Sequence, residues 1–532
     1  MGIFKGKTAF ALIYGALAFG LICLMTSGGL GISADSESYL VTANRFTQQR
    51  WGESVNPYWP PLYPLSIAAV KATGLAGLLG AARIVSVFSF IISIVTIYLL
   101  GLELGKRFVA HFSVISSLFL ASMIFLFCFC WSETLYIMVS LLFFLVLARL
   151  LRSPEGKETR YLILSGTLSG LGTITRFVGC SLIGTGVLCI LFLSNHKPKI
   201  KKLKESLVFI FAASIPVFLY FLGCFHYYGL TGKKQFPSPY SFSHQLLQFP
   251  ITFYHDFLTF DLMFWKYTLF FDWKFPFFWP RAFVLISLVI FLFLFIKAIC
   301  SAQLQKSEFR SLGGLMVYVV LYISTILVTS SSLAIDPIGS RFTVPVYPFV
   351  LLLAFSAISS IWKTSIQGKL KNWFLGMVIL SLGIFWSTQL VSTINIYKGI
   401  STGSFPAIEH PGNLNRGSIK FLKQNAGPSD CIISNVYRKL TFIWPRQEPY
   451  LYATEEDWEK SIDAIMNKAS QRTVYFLIST QDFAPGKITV EDLDRADHGI
   501  GLFAWKKDFG NDYLYKTKQV VLQSPQGSKE GE

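Results

Sequence analysis

Long uncharged runs recur along this chain, and they constrain its fold more than any other feature of the sequence. The first extends from Thr8 to Ala34, which exceeds the roughly 20 apolar residues that a helix needs to span a bilayer. Only 14% of the 532 residues are charged, against about 25% in soluble domains. The chain is therefore predicted to be a polytopic α-helical membrane protein.

Eleven membrane spans follow from these runs. With the N-terminus (Lys5, Lys7) in the cytoplasm, every Lys/Arg cluster between spans falls on the cytoplasmic side, as the positive-inside rule requires. This distribution accounts for the net charge of +17, which in a soluble protein would point to nucleic acid. Around Arg176, the alternative to two short spans is one full span with a re-entrant piece. The predicted spans are about 8–27, 84–102, 109–127, 135–148, 161–175, 177–193, 206–224, 282–296, 313–328, 342–361 and 373–391.

The predicted domains are a transmembrane domain, 1–398, and a soluble extracytoplasmic α/β domain, 399–532, with a disordered tail from Gln523. Two long outer loops belong to the first domain, at 28–82 and 225–280. The loop at 28–82 contains two predicted interfacial helices, Ser36 to Arg50 and Leu62 to Thr73. In the soluble domain, short apolar runs predict strands near 431–434, 473–478, 501–505 and 513–515. The eight cysteines indicate neither a disulfide framework nor a zinc site.

Two carboxylates, Asp35 and Glu37, come directly after the first apolar run. In an extended segment they would point to the same side and could meet one substrate or one metal ion. On a helix they would diverge by about 200°. The alternative role for Asp35 is to cap the helix that follows, with Glu37 as a first-turn acid.

Three further charged residues lie at the ends of apolar runs. Glu133 is the only acid between Arg107 and Arg149, and a carboxylate at a membrane boundary is costly unless it is solvated or paired. Arg176 interrupts "GLGTITRFVG", where it could meet an anionic head group. Arg341 begins a span, and its planar fork suits bidentate binding of phosphate. The alternatives are an exposed turn residue for Glu133 and interface anchors for the two arginines.

Aromatic and basic residues in the outer loops complete the candidates. Tyrosine and tryptophan at a membrane interface are often belt residues, but these could stack on a sugar face. The two lysines could help to hold a phosphate. The aromatic residues are Trp51, Tyr58, Trp59 and Tyr63, and the lysines are Lys233 and Lys234.

The order of these elements resembles the GT-C glycosyltransferases, in the branch that contains protein O-mannosyltransferases and lipid A aminoarabinose transferases. The resemblance covers about residues 8 to 391. It rests on the acidic pair after the first span, then "PPLYP", "SE" at the second outer turn, "GLGTITRFVG", "RFTVPVYP" and a small outer C-terminal domain. Each motif is degenerate, and their order is the specific feature.

The resemblance implies a sugar donor linked to a polyprenyl phosphate, used on the extracytoplasmic face by inversion at the anomeric carbon. Asp35 matches the family's catalytic acid and would act as general base. Glu133 matches an acid of the second outer loop, and Arg341 matches a basic position that contacts donor phosphate. Glu37 matches the second acid of the first motif. Many relatives have adjacent acids there, so Glu37 could support Asp35, bind metal or do neither.

The sequence therefore predicts a hexosyl or pentosyl transferase that moves a sugar to a lipid, glycan or protein acceptor. The expected location is a bacterial inner membrane, with the C-terminal domain outside. No cofactor is expected, although an oligosaccharyl-type transferase that holds a divalent metal with Asp35 and Glu37 is an alternative. A flippase for lipid-linked sugars would be built from repeats, and no repeat is visible in the sequence. A non-catalytic scaffold would require neither Asp35 nor Glu37.

Overall fold

The fold is known from a computed structural model of the chain. Its contacts divide the chain into two units, one of Met1–Gly31 with Arg45–Ser404 and one of Ile32–Asn44 with Phe405–Glu532. The structure describes residues 2–55, 57, 59–104, 107–153, 158–194, 198–229, 241–254, 256, 306–332, 338–364, 369–402, 421–422, 424–427, 431–434, 451–452, 474–479, 503–508 and 512–517.

Most described residues are helical. The sixteen α-helices among them are α1 Gly2–Met25, α2 Ala34–Thr47, α3 Trp51–Ser54, α4 Leu62–Ala72, α5 Leu78–Glu103, α6 Arg107–Phe119, α7 Ala121–Phe127, α8 Ser132–Arg152, α9 Glu158–Thr175, α10 Cys180–Leu188, α11 Lys199–Tyr228, α12 Phe242–Tyr254, α13 Lys306–Ser332, α14 Ser340–Thr343, α15 Tyr347–Thr364 and α16 Lys369–Thr402. Short 3₁₀ turns at Phe177–Gly179 and Val344–Val346 and a π-helical stretch at Cys189–Leu193 extend neighbouring helices.

The helices confirm the predicted polytopic membrane fold. In the described part of the chain, seven helices are long and apolar enough to cross a membrane, and α6 with α7 makes an eighth if that bent pair is one span. The predicted spans on either side of Arg176 coincide with α9 and with the helical run Phe177–Leu193. The predicted span at 282–296 lies outside the described residues.

The third predicted span is broken. The uncharged run predicts one continuous helix over 109–127, but α6 and α7 meet at an angle of 64° around Leu120, whose backbone is extended. The amide of Ala121, which the break frees, donates to Oε1 of Gln389 at 2.9 Å. This bond satisfies a polar group that would be costly to bury alone.

Close helix packing places the start of α8 at the centre of the first unit. Most of α8 is buried, whereas α1 and α11 expose apolar side chains, as lipid-facing helices do. Gly166 and Gly170 let α9 approach α11, because a Cβ at Gly166 would lie 2.5 Å from the Phe209 carbonyl oxygen. Such small-xxx-small pairs are typical of membrane helix interfaces.

A short parallel bridge ties the end of α1 to the segment before α8. Gly31 donates to the Cys128 carbonyl at 2.8 Å, and the Cys130 amide donates back to Gly31 at 3.1 Å. A Cβ at Gly31 would lie 2.5 Å from the Phe129 ring, so only glycine fits here. The bridge fixes the backbone that leads into Trp131 and Glu133.

The second unit contains a five-stranded sheet. Its strands are β1 Cys431–Ser434, β2 Leu451–Tyr452, β3 Val474–Ser479, β4 Phe503–Asp508 and β5 Asp512–Thr517, in the order β2-β1-β3-β5-β4. β1 pairs in parallel with β2 and β3, whereas β5 is antiparallel to β3 and β4. The sheet confirms the predicted small C-terminal domain, and β2 was not predicted.

Candidate active site

Glu133 is the centre of the most charged buried cluster in the described first unit. Its predecessor Trp131 is extended, and α8 begins at Ser132, so Glu133 lies in the first helical turn. There the helix dipole favours a negative charge. The side chain is fully buried, and a buried carboxylate is tolerated only when it is paired.

Arg176 reaches Glu133 because the chain breaks at this residue. α9 ends at Thr175, Arg176 is extended (φ −151°, ψ 137°), and a 3₁₀ turn follows. The turn is tight, since a Cβ at Gly179 would collide with the backbone of Gly172. The Arg176 guanidinium forms an ion pair with Glu133. Its Nη1 also donates to Ser132 Oγ at 3.3 Å.

Arg341 reaches the same carboxylate from α14, a single helical turn. It donates through Nε to Oε1 of Glu133. Its guanidinium also lies over the Trp131 ring, 5.0 Å from the centroid, a distance at which cation–π attraction is significant. The Arg176 guanidinium likewise lies 5.9 Å from the ring centroid of Phe342.

We call Glu133, Arg176 and Arg341 the Glu133 cluster. Its three charges sum to +1. The arginine side chains are 15% and 19% exposed, whereas Glu133 is inaccessible. Two guanidinium groups present ten N–H donors between them, many more than one carboxylate accepts. The cluster is therefore suited to an anion with several oxygens, such as a phosphate.

Asp256 organises a second polar group beside Arg341. It is 2% exposed, and it accepts hydrogen bonds from Ser340 Oγ at 2.6 Å, Thr343 Oγ1 at 3.0 Å and Tyr347 Oη. Two of these donors flank Arg341 in α14. Burial raises the pKa of Asp256 to about 6, although the three hydrogen bonds act to lower it. Sequence reasoning missed this residue, because nothing in "FYHDF" separates Asp256 from Asp261 and Asp272 in the same loop.

Helix α12 packs against the segment that leads into α14. The amide of Ile338 donates to Gln245 Oε1 at 3.2 Å, and Thr252 Oγ1 donates to the Ile338 carbonyl at 3.1 Å. Gln245 Nε2 also donates to the Ser330 carbonyl at the end of α13, at 3.4 Å. These bonds and Asp256 bring the described part of the loop 225–280 against the backbone that carries Arg341.

A group of three buried tyrosines contacts the Phe342 backbone through Tyr322. Tyr322 donates to the Phe342 carbonyl at 3.0 Å. The hydroxyls of Tyr136 and Tyr318 are 3.1 Å apart, and the rings of Tyr318 and Tyr322 pack with centroids separated by 5.6 Å. All three tyrosines are fully buried. They give the Arg341–Phe342 backbone a rigid support.

Asp35 and Glu37 belong to the second unit and lie in the first turn of α2. Ser33 is the cap: its amide donates to Ser36 Oγ at 3.0 Å, and the Ser36 amide faces Ser33 Oγ at 3.5 Å. Asp35 is therefore inside the helix rather than its cap. The helix sets the two carboxylates about 200° apart around its axis. Asp35 is half-buried and Glu37 is 7% exposed.

The aromatic candidates differ in exposure. Trp51 is 49% exposed and packs edge-on against Phe46, and Trp59 is half-buried. Tyr63 is fully buried and donates to Cys130 Sγ at 3.4 Å. Tyr58, Lys233 and Lys234 lie outside the described residues. Among the residues that are described, no three His, Cys, Asp or Glu side chains group closely enough to hold a metal ion.

Solved structures share this fold. No protein-family model matches the chain, and a search of curated proteins gives no significant match. ArnT from Cupriavidus metallidurans, bound to undecaprenyl phosphate, is similar with a TM-score of 0.62 over 97% of this chain and 99% of its own, at 12% identity. The arabinofuranosyltransferase AftD from Mycobacteria gives a TM-score of 0.57 over 96% of this chain and 40% of its own, also at 12% identity.

An archaeal oligosaccharyltransferase is also similar. AglB from Archaeoglobus fulgidus, in complex with an inhibitory peptide and a dolichol-phosphate, gives a TM-score of 0.50 at 11% identity. The match covers 89% of this chain and 70% of AglB. At these identities the likeness concerns the fold, and it agrees with the resemblance seen in the order of the sequence motifs.

Proposed function

We propose that this chain, which has the fold of the GT-C membrane glycosyltransferases, transfers a sugar from a polyprenyl-phosphate donor to an acceptor on the extracytoplasmic face. The observation that carries the proposal is the positively charged Glu133 cluster, with both arginines partly accessible and Glu133 buried beneath its ion pairs. The polyprenyl phosphates bound to ArnT and AglB support this class of donor. The peptide bound to AglB supports a protein as one class of acceptor, beside lipids and glycans.

In this proposal Arg341 and Arg176 bind the donor phosphate. Each guanidinium can offer parallel N–H groups to two phosphate oxygens. Glu133 holds both guanidinium groups before the donor arrives, so little reorganisation is needed when it binds. Asp256 is a positioning residue, because it accepts hydrogen bonds from the residues that flank Arg341. Lys233 and Lys234 remain proposed phosphate ligands from the sequence.

The proposed reaction is a single displacement with inversion. An acceptor hydroxyl oxygen attacks the anomeric carbon, the bond from that carbon to the phosphate oxygen breaks, and the polyprenyl phosphate leaves with the bonding electron pair. Asp35 takes the hydroxyl proton as general base. The two arginines stabilise the negative charge that develops on the leaving phosphate. An aromatic surface from Trp51 and Trp59 is proposed to contact the sugar or the acceptor, with Tyr58 and Tyr63.

The helical setting of Asp35 and Glu37 favours a reaction without a metal ion. Side chains two residues apart on a helix point in different directions, so the pair is poorly arranged to share one divalent cation. We therefore assign the base to Asp35 alone and propose that Glu37 stabilises the first turn of α2 through the helix dipole. The oligosaccharyl-type mechanism instead makes both residues metal ligands, and a chelator separates the two mechanisms.

The test uses the purified protein in nanodiscs. A panel of radiolabelled polyprenyl-phosphate sugars, both hexoses and pentoses, is supplied with native bacterial membrane extract as acceptor, with and without EDTA. Wild type is compared with Asp35→Asn and with Glu53→Gln, a control that neutralises an exposed acid of the same outer loop. We expect transfer by wild type and Glu53→Gln, loss of transfer in Asp35→Asn, and no effect of EDTA.

Different outcomes contradict particular parts of the proposal. Transfer that EDTA abolishes would make Asp35 and Glu37 metal ligands. Transfer that persists in Asp35→Asn would remove the general base. If no donor is used and labelled lipid instead crosses the bilayer of proteoliposomes, the chain is a flippase and the transferase proposal fails.

A further inference from the structure

Trp131 is the aromatic partner of Arg341, although it is not one of the three charged residues of the Glu133 cluster. Its side chain is 9% exposed, and the Arg341 guanidinium lies over the ring, 5.0 Å from the centroid. A cation over the face of a tryptophan is attracted by the ring quadrupole, and the attraction is stronger where water is excluded. Since Arg341 is only 19% exposed, solvent and salt screen this contact weakly.

Hydrogen bonds fix the backbone on both sides of the Trp131 ring. The Trp131 amide donates to the Phe129 carbonyl at 2.9 Å and closes a three-residue turn. At the start of α8, Thr134 Oγ1 donates to the Trp131 carbonyl at 2.8 Å. The bridge to Gly31 holds the segment just before the turn. The Trp131 side chain therefore leaves a backbone that has little freedom to move.

Two buried phenylalanine rings fix the indole itself. Phe129 stacks on Trp131, with ring centroids 4.4 Å apart and an angle of 19° between the ring planes. Phe125 packs edge-on against Trp131 at 6.1 Å. Phe129 in turn lies against Gly31, where a Cβ would collide with its ring. The indole is thus held by the protein interior before any ligand is present.

Packing alone accounts for the burial of Trp131 but not for the arginine that lies over it. Arg176 and Arg341 share Glu133, so the carboxylate balances only one of the two positive charges. The ring gives Arg341 a second electrostatic partner. This contact uses the π face of the ring and none of the N–H donors of the guanidinium, which are the groups that bind a phosphate.

We propose that Trp131 is a positioning residue that orients the Arg341 guanidinium for the phosphate of the donor lipid. The ring and Glu133 together hold the guanidinium, so Arg341 loses little conformational freedom when the phosphate binds. The inference rests on the proposed function, because it requires that Arg341 binds the phosphate. Arg176 lies near a different ring, that of Phe342, at 5.9 Å. The effect of Trp131 is therefore specific to Arg341.

The experiment measures affinity for undecaprenyl phosphate without any sugar transfer. The full-length protein in detergent is titrated with the lipid, and native mass spectrometry gives the bound fraction. Trp131→Phe keeps a ring face, whereas Trp131→Met fills the space with a flexible apolar chain that has none. We expect the Kd to rise about 5–30-fold in Trp131→Met and clearly less in Trp131→Phe. The control Trp386→Met removes a tryptophan of α16 that donates to Ser116, and it should leave the Kd unchanged.

A second set of variants separates positioning from a general effect on the fold. In an Arg341→Gln protein, Trp131→Met should not weaken binding further, because the group that Trp131 orients is absent. In an Arg176→Gln protein it should weaken binding by the same factor as in wild type. A general loss of structure would instead weaken binding equally in both proteins.

The outcomes distinguish this proposal from the proposed function. An unchanged Kd in Trp131→Met, equal effects of the Phe and Met substitutions, or an undiminished effect in the Arg341→Gln protein would overturn the role of Trp131. Each of these results would leave Arg341 as a phosphate ligand. If the wild-type protein binds no undecaprenyl phosphate, the proposed function fails and the role of Trp131 fails with it.

Discussion

Arg176 and Arg341 share one buried partner, so changing them singly and together separates their contribution to folding from their proposed contribution to phosphate binding. The variants are Arg176→Gln, Arg341→Gln, the double variant, and a triple variant that adds Glu133→Gln. Each single change leaves Glu133 with one arginine. The double change leaves a fully buried carboxylate without either of them, and the triple change removes that charge.

The expected free energies of unfolding follow from this geometry. Each single change should destabilise the protein by about 1.5 kcal/mol, the lower end for a hydrogen bond to a charged group, because Glu133 keeps its other arginine. The double change should cost about 5 kcal/mol, the upper end of the range for breaking a buried ion pair, because it removes both partners of Glu133. The coupling energy between Arg176 and Arg341, which is the cost of the double change minus the two single costs, is then about 2 kcal/mol. This value is within the range for residues in one network. The triple variant should regain most of the loss, because an amide is far less costly to bury than a carboxylate.

The variants should rank differently in their binding of the donor lipid than in their stability. Unfolding is measured by denaturant titration in detergent, and retention of undecaprenyl phosphate by native mass spectrometry. Each single change should lower the transfer rate about 10²–10³-fold, the usual effect of losing one donor to a developing charge. The triple variant should be stable and yet retain no undecaprenyl phosphate. Arg341→Lys should keep the charge but bind more weakly, since lysine lacks the planar fork.

Two results would refute this reasoning. If the triple variant retains undecaprenyl phosphate as wild type does, the arginines serve only to pair Glu133 and the proposed phosphate site is wrong. If the double variant loses no more stability than the two single variants together, Glu133 does not depend on them and the buried ion-pair network is wrong.

Three further predictions concern the surrounding structure. Because the pKa of Asp256 is raised to about 6, its own contribution to stability is fully present below about pH 4 and is lost, by about 3 kcal/mol, as the pH rises through about 6. The difference in unfolding free energy between wild type and Asp256→Asn should therefore change by about that amount between pH 4 and pH 7, and a difference that does not change with pH would contradict this. Gly170→Ala should destabilise the protein by about 1–3 kcal/mol, because the added Cβ would collide with the Ala213 carbonyl. The control Gly20→Ala, whose added Cβ meets open space, should not lower the thermal midpoint. Gln389→Leu should cost about 1–3 kcal/mol by removing the acceptor for the Ala121 amide, and equal hydrogen exchange at Ala121 in both proteins would contradict this.

Local patterns in the sequence were sufficient to predict most of the membrane helices. Seven of the eleven predicted spans coincide with helices that are long and apolar enough to cross a membrane, and the third coincides with the bent pair α6 and α7. The two predicted spans beside Arg176 coincide with α9 and with the shorter helical run Phe177–Leu193, and the span at 282–296 lies outside the described residues. The break at Leu120 was not predictable from the local sequence, because the acceptor for the amide that it frees is Gln389, which is far away in the sequence. The order of the motifs also sufficed to predict the GT-C fold, although each motif alone is degenerate.

The residues of the Glu133 cluster were identified one by one, but not as a cluster. Each was conspicuous because it is a charge at the end of an apolar run. No periodicity relates positions that are 43 and 208 residues from Glu133, and only the packing of α8, α9 and α14 brings them to one carboxylate. Asp256 was missed for the same reason, since its significance comes entirely from the three hydroxyls around it.

The sequence by itself determined that this chain crosses a membrane many times and carries a small α/β domain, because apolar run length and charge distribution act locally and need no tertiary information. Only the tertiary structure decided which charges meet. A buried Glu133 is stable because two arginines from distant segments of the chain neutralise it. Contacts between charged residues that are far apart in the sequence depend on how the helices pack. The tertiary structure therefore determines the chemistry of the candidate site.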